Sequence, residues 1–213
     1  MAPSTSPASR PPEASAYALP ALERFYAFHA RIYDWTRPLL LLGRARLLRG
    51  LELRPGLRVL DVGCGTGHSL PRLVRSGARV RAVEISPHMR ARAERRVAGL
   101  GLRADVRFEC LPYGSHAGHA GWAERVLFSY SLSMMPPYQA ILERARADLR
   151  AGGRIGVVDF LDATGPVALG LRRSHVLLGP ERLRELQRLF PRHRLELCRG
   201  PLWRYFLFWG ERG

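Results

Sequence analysis

The chain has 213 residues and a mass of 24.0 kDa, which suits one sizeable hydrophobic core and leaves little room for two full domains. Its formal charge is +16. No apolar run approaches the ~18 residues that cross a bilayer, and the first twenty residues lack the apolar segment of a secretory signal peptide. Three scattered cysteines, Cys64, Cys110 and Cys198, form neither a disulfide framework nor a zinc motif. These features predict a reduced, cytoplasmic protein without a metal site.

The positive charge has two interpretations. All 34 basic residues are arginine, a composition typical of a GC-rich coding sequence. The arginines are also dispersed, and the densest run, from Arg90 to Arg96, has the spacing of one polar helix face. The other interpretation is attraction to an anionic membrane surface. Sequence-specific nucleic-acid binding is not expected, because the chain has no recognition-helix, finger or RNP-type pattern.

The chain begins with a segment rich in proline, serine and alanine, which predicts a disordered tail over residues 1–20. Residues 21–53 carry apolar side chains at helical spacing, and Pro38 should divide them into at least two helices. We interpret these helices as a lid and substrate-binding segment.

From residue 54 to residue 213 the pattern alternates between strands and helices. The predicted strands are "LRVLDV", "RVRAVEI", "ADVRFECL", "ERVLFSYS" and "AGGRIGVVDF". The predicted helices run from about His68 to Arg75, from the N-cap Ser86 to Gly99, from Pro137 to Leu149 and near Glu181–Leu189. The end, "RHRLELCRGPLWRYFLFWGE", is typical of a hairpin. The prediction is an α/β fold: a Rossmann-like, doubly wound, mostly parallel sheet with a C-terminal antiparallel hairpin.

A glycine-rich loop, "VLDVGCGTG", follows the first predicted strand. Ligands of parallel sheets lie beyond the carboxyl ends of the strands, and glycines there let a ligand approach the backbone. The spacing G-x-G-x-G after Asp61 differs from the G-x-G-x-x-G of dinucleotide folds, and the absence of lysine excludes a P-loop. By itself the loop is also compatible with a tight structural turn.

An acid at the end of the second predicted strand, Glu84, strengthens the ligand interpretation. A carboxylate about twenty residues after the loop suits the two hydroxyls of a ribose. The alternative is an exposed acid near Arg81 or His88.

Together, "VLDVGCGTG" and "AVEIS" resemble the first and second motifs of the class I S-adenosylmethionine-dependent methyltransferases, and the resemblance covers about residues 57–160. It implies S-adenosylmethionine as the cofactor. It implies that Asp61, Gly63, Cys64, Gly65 and Gly67 surround its methionine part and that Glu84 and Ile85 lie at its ribose. Many members place an Asp after the third strand near the adenine. This chain has "FECLPYGSH", so Glu109, Cys110 and Leu111 are the candidates there.

Two further strings, "FYAFHARIYDWTRPLLLLGR" and "VLFSYSLSMMPPY", resemble the methyltransferases of betaine-lipid synthesis and, in part, phosphatidylethanolamine-type N-methyltransferases. The end of the fourth predicted strand, Ser129, Tyr130 and Ser131, should reach the reacting centre. We expect Ser129 to contact the cofactor, and Ser131, Tyr130 and Tyr33 to act in catalysis, where Tyr130 would position the amine or accept its proton. The rings of Tyr33, Trp35 and Tyr130 suit an acceptor that becomes a quaternary ammonium. Alternatively, Tyr33 and Trp35 belong to a lid core, and Tyr130 is a buried, hydrogen-bonded strand residue.

The predicted function is an N-methyltransferase acting on a lipid headgroup amine, of diacylglyceryl-homoserine or phosphatidylethanolamine type, with peripheral contact to an anionic membrane. Two alternatives stay open. One is an O- or C-methyltransferase of a quinone or natural product with the same fold. The other is a non-catalytic binding protein built on that fold.

Overall fold

One sheet organises the protein in a computed structural model that describes residues 42–115 and 118–213. The predicted tail, residues 1–20, and most of the predicted lid, residues 21–53, lie outside the described residues. Within these residues the sheet has seven strands, in the order β3-β2-β1-β4-β5-β7-β6. They are β1 (Arg58–Val62), β2 (Arg79–Val83), β3 (Asp105–Glu109), β4 (Ala123–Ser129), β5 (Leu149–Ala163), β6 (His193–Arg199) and β7 (Trp203–Glu211).

The first five strands are parallel, and β7 runs antiparallel to both β5 and β6. This confirms the predicted mostly parallel sheet with a C-terminal antiparallel hairpin. The strand order reverses between β1 and β4, so the loops after these two strands diverge and open a crevice at the carboxyl edge of the sheet. The glycine-rich loop follows β1, directly at that crevice.

Six α-helices cover the two faces in the described ranges. They are α1 (Arg44–Gly50), α2 (Leu70–Arg75), α3 (Pro87–Ala98), α4 (Tyr138–Asp148), α5 (Gly165–Arg173) and α6 (Glu181–Leu189). Side chains of α1, α2, α3 and α5 share one core cluster with one face of the sheet. Side chains of α4 and α6 share a second cluster with the opposite face. The doubly wound prediction is confirmed.

The local signals explain most helix boundaries. Helix α3 begins at Pro87, and the Ser86 hydroxyl accepts a hydrogen bond from the Met89 N–H at 3.4 Å, as its N-cap sequence predicts. Helix α5 was not predicted. It begins with Gly165–Pro166, a pair typical of turns, and only Val167 and Leu171 point toward the core.

The hairpin secures α1 from the far end of the chain. The Trp209 indole N–H donates to the Leu47 carbonyl at 3.0 Å, and both residues are buried. Strand β7 is the inner strand of the hairpin, with β6 at the edge of the sheet. Helix α1 therefore has a fixed position against β5 and β7. No helix in the described part of the chain is both long and apolar enough to cross a membrane.

Candidate active site

The loop after β1 folds back onto the end of β2. Gly63, Gly65 and Gly67 all have positive φ angles, of 67°, 58° and 78°, which glycine adopts without strain. The N–H groups of Gly63 and Cys64 both donate to the Val83 carbonyl, at 2.9 and 3.1 Å. The loop is therefore a fixed cradle at the strand ends.

Gly63 also has no space for a side chain. A Cβ atom there would lie 2.6 Å from both the Met135 Cε and the Ser131 Cβ. The loop after β1 and the turn after β4 thus pack directly on each other. Because each loop limits the position of the other, the two sides of the crevice form one unit.

Glu84 lies inside this unit. It is 6% exposed, so the alternative of an exposed strand-end acid is wrong. Its carboxylate accepts hydrogen bonds from the Gly65 N–H at 2.8 Å and from the Ser86 N–H at 3.0 Å. These amides orient the carboxylate at the carboxyl end of β2, beside the glycine-rich loop.

Asp61 is the most unusual group of the site. It is 1% exposed, and neither carboxylate oxygen has a hydrogen-bond partner among the described residues. Burial raises the pKa of Asp61 to about 7; the nearby Arg44 guanidinium opposes this shift and Glu84 adds to it. Buried polar atoms are almost always hydrogen-bonded, so this carboxylate is a candidate to pair with a group that a ligand supplies.

A second unsatisfied group lies on the neighbouring strand. The Ser129 hydroxyl is buried and has no partner in the described ranges. Asp61 pairs with Leu127 across β1 and β4, and Ser129 is two residues further along β4. Because side chains alternate between faces, Asp61 and Ser129 share the face that packs under α1.

Tyr130 is a buried, hydrogen-bonded residue, which was the alternative to its predicted catalytic role. Its hydroxyl donates to the Leu42 carbonyl at 2.7 Å, and burial raises the pKa of the phenol well above its usual range. The Arg44 guanidinium lies 5.7 Å from the ring centroid, and the Phe160 ring centroid lies at 4.8 Å. In this position the phenol is a poor proton acceptor, and its ring is packed between neighbours. By its hydrogen bond to Leu42, Tyr130 fixes the segment that leads into α1.

The turn after β4, residues 131–135, is anchored on three sides. The Ser131 hydroxyl donates to the Val62 carbonyl at 2.7 Å. The Ser133 N–H donates to the buried Asp159 carboxylate at 2.7 Å, and the Ser133 carbonyl accepts from the Leu177 N–H at 2.9 Å. Ser131 therefore fixes the turn to β1, and its hydroxyl is already engaged there.

The candidates for the adenine end separate into two groups. The Glu109 carboxylate lies 3.0 Å from His119 Nε2, and His119 Nδ1 lies 2.8 Å from Arg81 Nη1. Glu109 thus takes part in a mostly buried network with a distant loop. The exposed Cys110 lies 3.7 Å from the Ile85 carbonyl, so Cys110 and Ile85 are neighbours beside Glu84.

Cys64 lies within the cradle, and burial raises the pKa of its thiol well above the usual range, with Asp61 and Glu84 adding to the shift. The thiol is therefore neutral at physiological pH. Tyr33 and Trp35, the other predicted acceptor-side residues, lie outside the described residues.

Comparison with known proteins agrees with this geometry. Residues 59–153 match the family model described as a methyltransferase domain. The chain therefore has the class I methyltransferase fold. The match begins within β1 and ends within β5, so it includes the glycine-rich loop, Glu84 and the turn after β4.

Two curated methyltransferases illustrate the range of proteins to which the chain is similar. The chain is 35% identical over 138 residues to a protein-L-isoaspartate O-methyltransferase of Methylorubrum populi, which covers 65% of this chain and 59% of that protein. It is 35% identical over 136 residues to a demethylmenaquinone methyltransferase of Beutenbergia cavernae, covering 62% and 54%. The chain thus spans little more than half the length of these relatives.

One solved structure has the same fold as this chain over nearly its whole length. It is the 1,6-didemethyltoxoflavin-N1-methyltransferase of Burkholderia thailandensis with bound 1,6-didemethyltoxoflavin and S-adenosylhomocysteine. The TM-score is 0.67 at 23% identity, with 99% of this chain and 94% of that chain covered. This likeness concerns the fold.

The residues of the crevice fit S-adenosylmethionine, the cofactor of class I methyltransferases. The unsatisfied Asp61 carboxylate suits an ammonium group, the Arg44 guanidinium nearby suits a carboxylate, and Glu84 is oriented for ribose hydroxyls. Sequence reasoning missed Arg44, which follows no motif. It also missed Asp159, although this acid lies near the end of the predicted strand "AGGRIGVVDF", much as Glu84 lies at the end of its own.

Proposed function

We propose that this protein is an S-adenosylmethionine-dependent N-methyltransferase whose acceptor is the amine of a lipid headgroup, of diacylglyceryl-homoserine or phosphatidylethanolamine type. The proposal of methyl transfer rests on two buried polar groups next to the glycine-rich cradle. They are the Asp61 carboxylate and the Ser129 hydroxyl, which have no hydrogen-bond partner among the described residues. Two sequence strings, one ahead of the core and one at the end of β4, support the choice of acceptor.

Each donor-side residue has a defined task in this proposal. Asp61 pairs with the ammonium of the cofactor's methionine end, and Arg44 balances its carboxylate. Glu84 accepts hydrogen bonds from the ribose hydroxyls while two backbone amides hold it in place. S-adenosylmethionine, when bound, supplies an electrophilic methyl group on a sulfonium.

The acceptor side acts by alignment. A neutral amine is already a nucleophile, so the protein gains most by holding it in line with the methyl group. The Ser129 hydroxyl oxygen can accept a hydrogen bond from the amine and so aim its lone pair. The turn at residues 131–135 keeps its position through Val62 and Asp159. Aromatic rings from the segment before α1, Tyr33 and Trp35, would stabilise the quaternary product.

A second candidate acceptor is a quinone, since the demethylmenaquinone methyltransferase of Beutenbergia cavernae is 35% identical over 136 residues. Methyl transfer to a ring carbon would use the reduced hydroquinone, whose ring carbon attacks the methyl group and then loses its proton to a base. Lipid amines and quinones differ enough in mass and solubility for one assay to separate them.

The test is a product assay by mass spectrometry with isotopically labelled methyl donor. Diacylglyceryl-homoserine, phosphatidylethanolamine and a demethylated quinone are offered in parallel detergent micelles. We expect label on the lipid amines, at a mass shift of one to three methyl groups. Label on the quinone alone would overturn the lipid amine as the acceptor and support the quinone. Glu84→Ala, which should lose S-adenosylhomocysteine binding by calorimetry, is the control for cofactor-dependent signal.

A further inference from the structure

The described surface carries an unusual group of exposed leucines and arginines at one edge of the sheet. Leu169 on α5 is 55% exposed, Leu177 after α5 is 38% exposed, and Leu202 in the β6–β7 turn is 46% exposed. Exposed arginines of the same region are Arg172, Arg173 and Arg199. We call these six residues the leucine–arginine surface.

Hydrogen bonds bring the three parts of this surface together. The Thr164 N–H, directly before α5, donates to the Leu202 carbonyl at 3.0 Å. The Leu177 N–H donates to the Ser133 carbonyl at 2.9 Å. The hairpin turn, α5 and the segment after it are therefore neighbours, and the turn at residues 131–135 lies directly beside them. The leucine–arginine surface thus adjoins the acceptor side of the crevice.

The surface is amphipathic in a specific way. On α5, Val167 and Leu171 pack against the core, while Leu169 lies on the outer side between Arg172 and Arg173 in helical projection. None of Arg172, Arg173 and Arg199 forms an ion pair with a carboxylate in the described ranges. Arg199 is nevertheless attracted to the Asp162 carboxylate, whose pKa it helps to lower after the larger effect of Arg204. Apolar side chains flanked by arginines match the interface of an anionic bilayer, where the apolar groups enter the acyl boundary and the cations contact the headgroups.

We infer that the leucine–arginine surface docks the protein on an anionic lipid bilayer and presents the adjoining crevice to lipid headgroups. The inference rests on the proposed function for the identity of the acceptor, but the docking itself is a separate physical property. Charge complementarity favours an anionic bilayer as the occupant, because the exposed Arg172, Arg173 and Arg199 accompany the exposed leucines.

The experiment is vesicle flotation with the full chain at low and high salt. Vesicles contain phosphatidylcholine with or without phosphatidylglycerol. The test variant is Leu169→Ser combined with Leu202→Ser, and we expect its partitioning to fall about tenfold or more. Arg173→Gln alone should reduce partitioning about fivefold, the effect of one cation near an anionic surface. S-adenosylhomocysteine calorimetry on each variant checks that the fold and crevice persist.

The chain provides a matched control. Leu102 is 49% exposed but lies before β3, at the amino edge of the sheet, and Arg103 is exposed beside it. Leu102→Ser and Arg103→Gln should leave flotation unchanged. The inference is overturned if wild type does not float with anionic vesicles, if the control variants lose as much binding as the test variants, or if single-stranded RNA binds with the same dependence on Leu169 and Leu202.

A methylation result separates the two proposals. Flotation that depends on the leucine–arginine surface, together with no label on any lipid amine, supports the docking surface and overturns the lipid acceptor. Label on lipid amines in detergent, together with no flotation, supports the acceptor and overturns docking.

Discussion

The two sides of the crevice are built on different principles. On the donor side, the Asp61 carboxylate is buried with no hydrogen-bond partner in the described chain. On the acceptor side, the turn at residues 131–135 is bonded to Val62, Asp159 and Leu177. The donor side thus carries a buried charge that a ligand could pair, whereas the backbone of the acceptor turn is anchored by the protein itself. A substitution on the donor side should chiefly change ligand affinity, and one on the acceptor side should chiefly change stability and turnover.

The largest expected effect is that of Asp61→Asn. Removing the charge should weaken S-adenosylhomocysteine binding about 100-fold, since a charge-assisted hydrogen bond to the ammonium is lost. The same variant should be more stable without ligand at pH 8. The pKa of Asp61 is raised to about 7, so above pH 7 the folded protein holds an ionised carboxylate that the unfolded chain solvates better. We expect a gain of about 2–4 kcal/mol in the free energy of unfolding.

The raised pKa of Asp61 determines how the predicted gain in stability of Asp61→Asn changes with pH. Between about pH 4 and pH 7 the folded state binds one more proton than the unfolded state, so this part of the stability of the wild type falls as pH rises. Urea unfolding at pH 5 and pH 8 should therefore show the advantage of Asp61→Asn growing with pH. An equal difference at both pH values would contradict a buried, unsatisfied carboxylate.

Gly63→Ala tests the contact between the two sides and should have the next largest effect. The new Cβ would meet Met135 and Ser131 at 2.6 Å on a backbone with φ of 67°. We expect a loss of about 2–3 kcal/mol in the free energy of unfolding and weaker S-adenosylhomocysteine binding. Gly56→Ala is the matched control, because Gly56 has a φ of 77° and no atom within 4 Å of its Cβ position. Its cost should be about 1 kcal/mol, from the backbone alone.

Asp159→Asn tests whether the acceptor turn depends on its buried anchor. The Asp159 carboxylate accepts from the N–H groups of Ser133 and Phe160 at 2.7 and 2.8 Å. Replacing one oxygen by an amide nitrogen turns an acceptor into a donor facing an N–H, so we expect a loss of about 2 kcal/mol in the free energy of unfolding. Turnover should fall while the dissociation constant of S-adenosylhomocysteine stays within about threefold. A large loss of cofactor affinity with unchanged turnover would place Asp159 on the donor side instead.

Ser131→Ala should have the smallest effect. It removes one hydrogen bond, from the Ser131 hydroxyl to the Val62 carbonyl, which typically contributes about 1 kcal/mol. Thermal unfolding and steady-state kinetics should give a modest loss of stability and a few-fold loss of kcat with unchanged cofactor affinity. Ser131→Thr, which keeps the hydroxyl, should restore most of the turnover if the bond is what matters.

The same contrast explains what sequence reasoning could and could not predict. The strands, the cap of α3 and the glycine-rich loop follow from local signals, because neighbouring residues decide them. The donor-side acids, Asp61 and Glu84, end strands and so lie at the carboxyl edge of any parallel sheet. Their burial and the 2.8 Å bond of Glu84 to Gly65 confirm that they lie within the crevice. Their proposed contacts to the cofactor stay predictions.

Contacts between residues that are far apart in the chain could not be predicted from local sequence patterns. Glu109 pairs with His119 across a loop, and the Tyr130 hydroxyl reaches Leu42, 88 positions away in the chain. Helix α5 was missed because it begins with a turn-like Gly-Pro pair and only part of one face is covered. In each case the tertiary neighbour, rather than the local pattern, determines what the side chain does.

The place of β7 in the sheet has a consequence for biosynthesis. A ribosome synthesises β6 before β7, yet β7 lies between β6 and β5 in the sheet. Until β7 has emerged, β6 has no strand to pair with and the edge of β5 is unpaired. Helix α1 emerges long before Trp209, the residue whose indole holds it. Co-translational folding of this domain therefore ends with a late insertion event that closes the sheet and fixes the N-terminal helix together. Until then the open edge of β5 can pair with another chain, so aggregation is a risk at this stage.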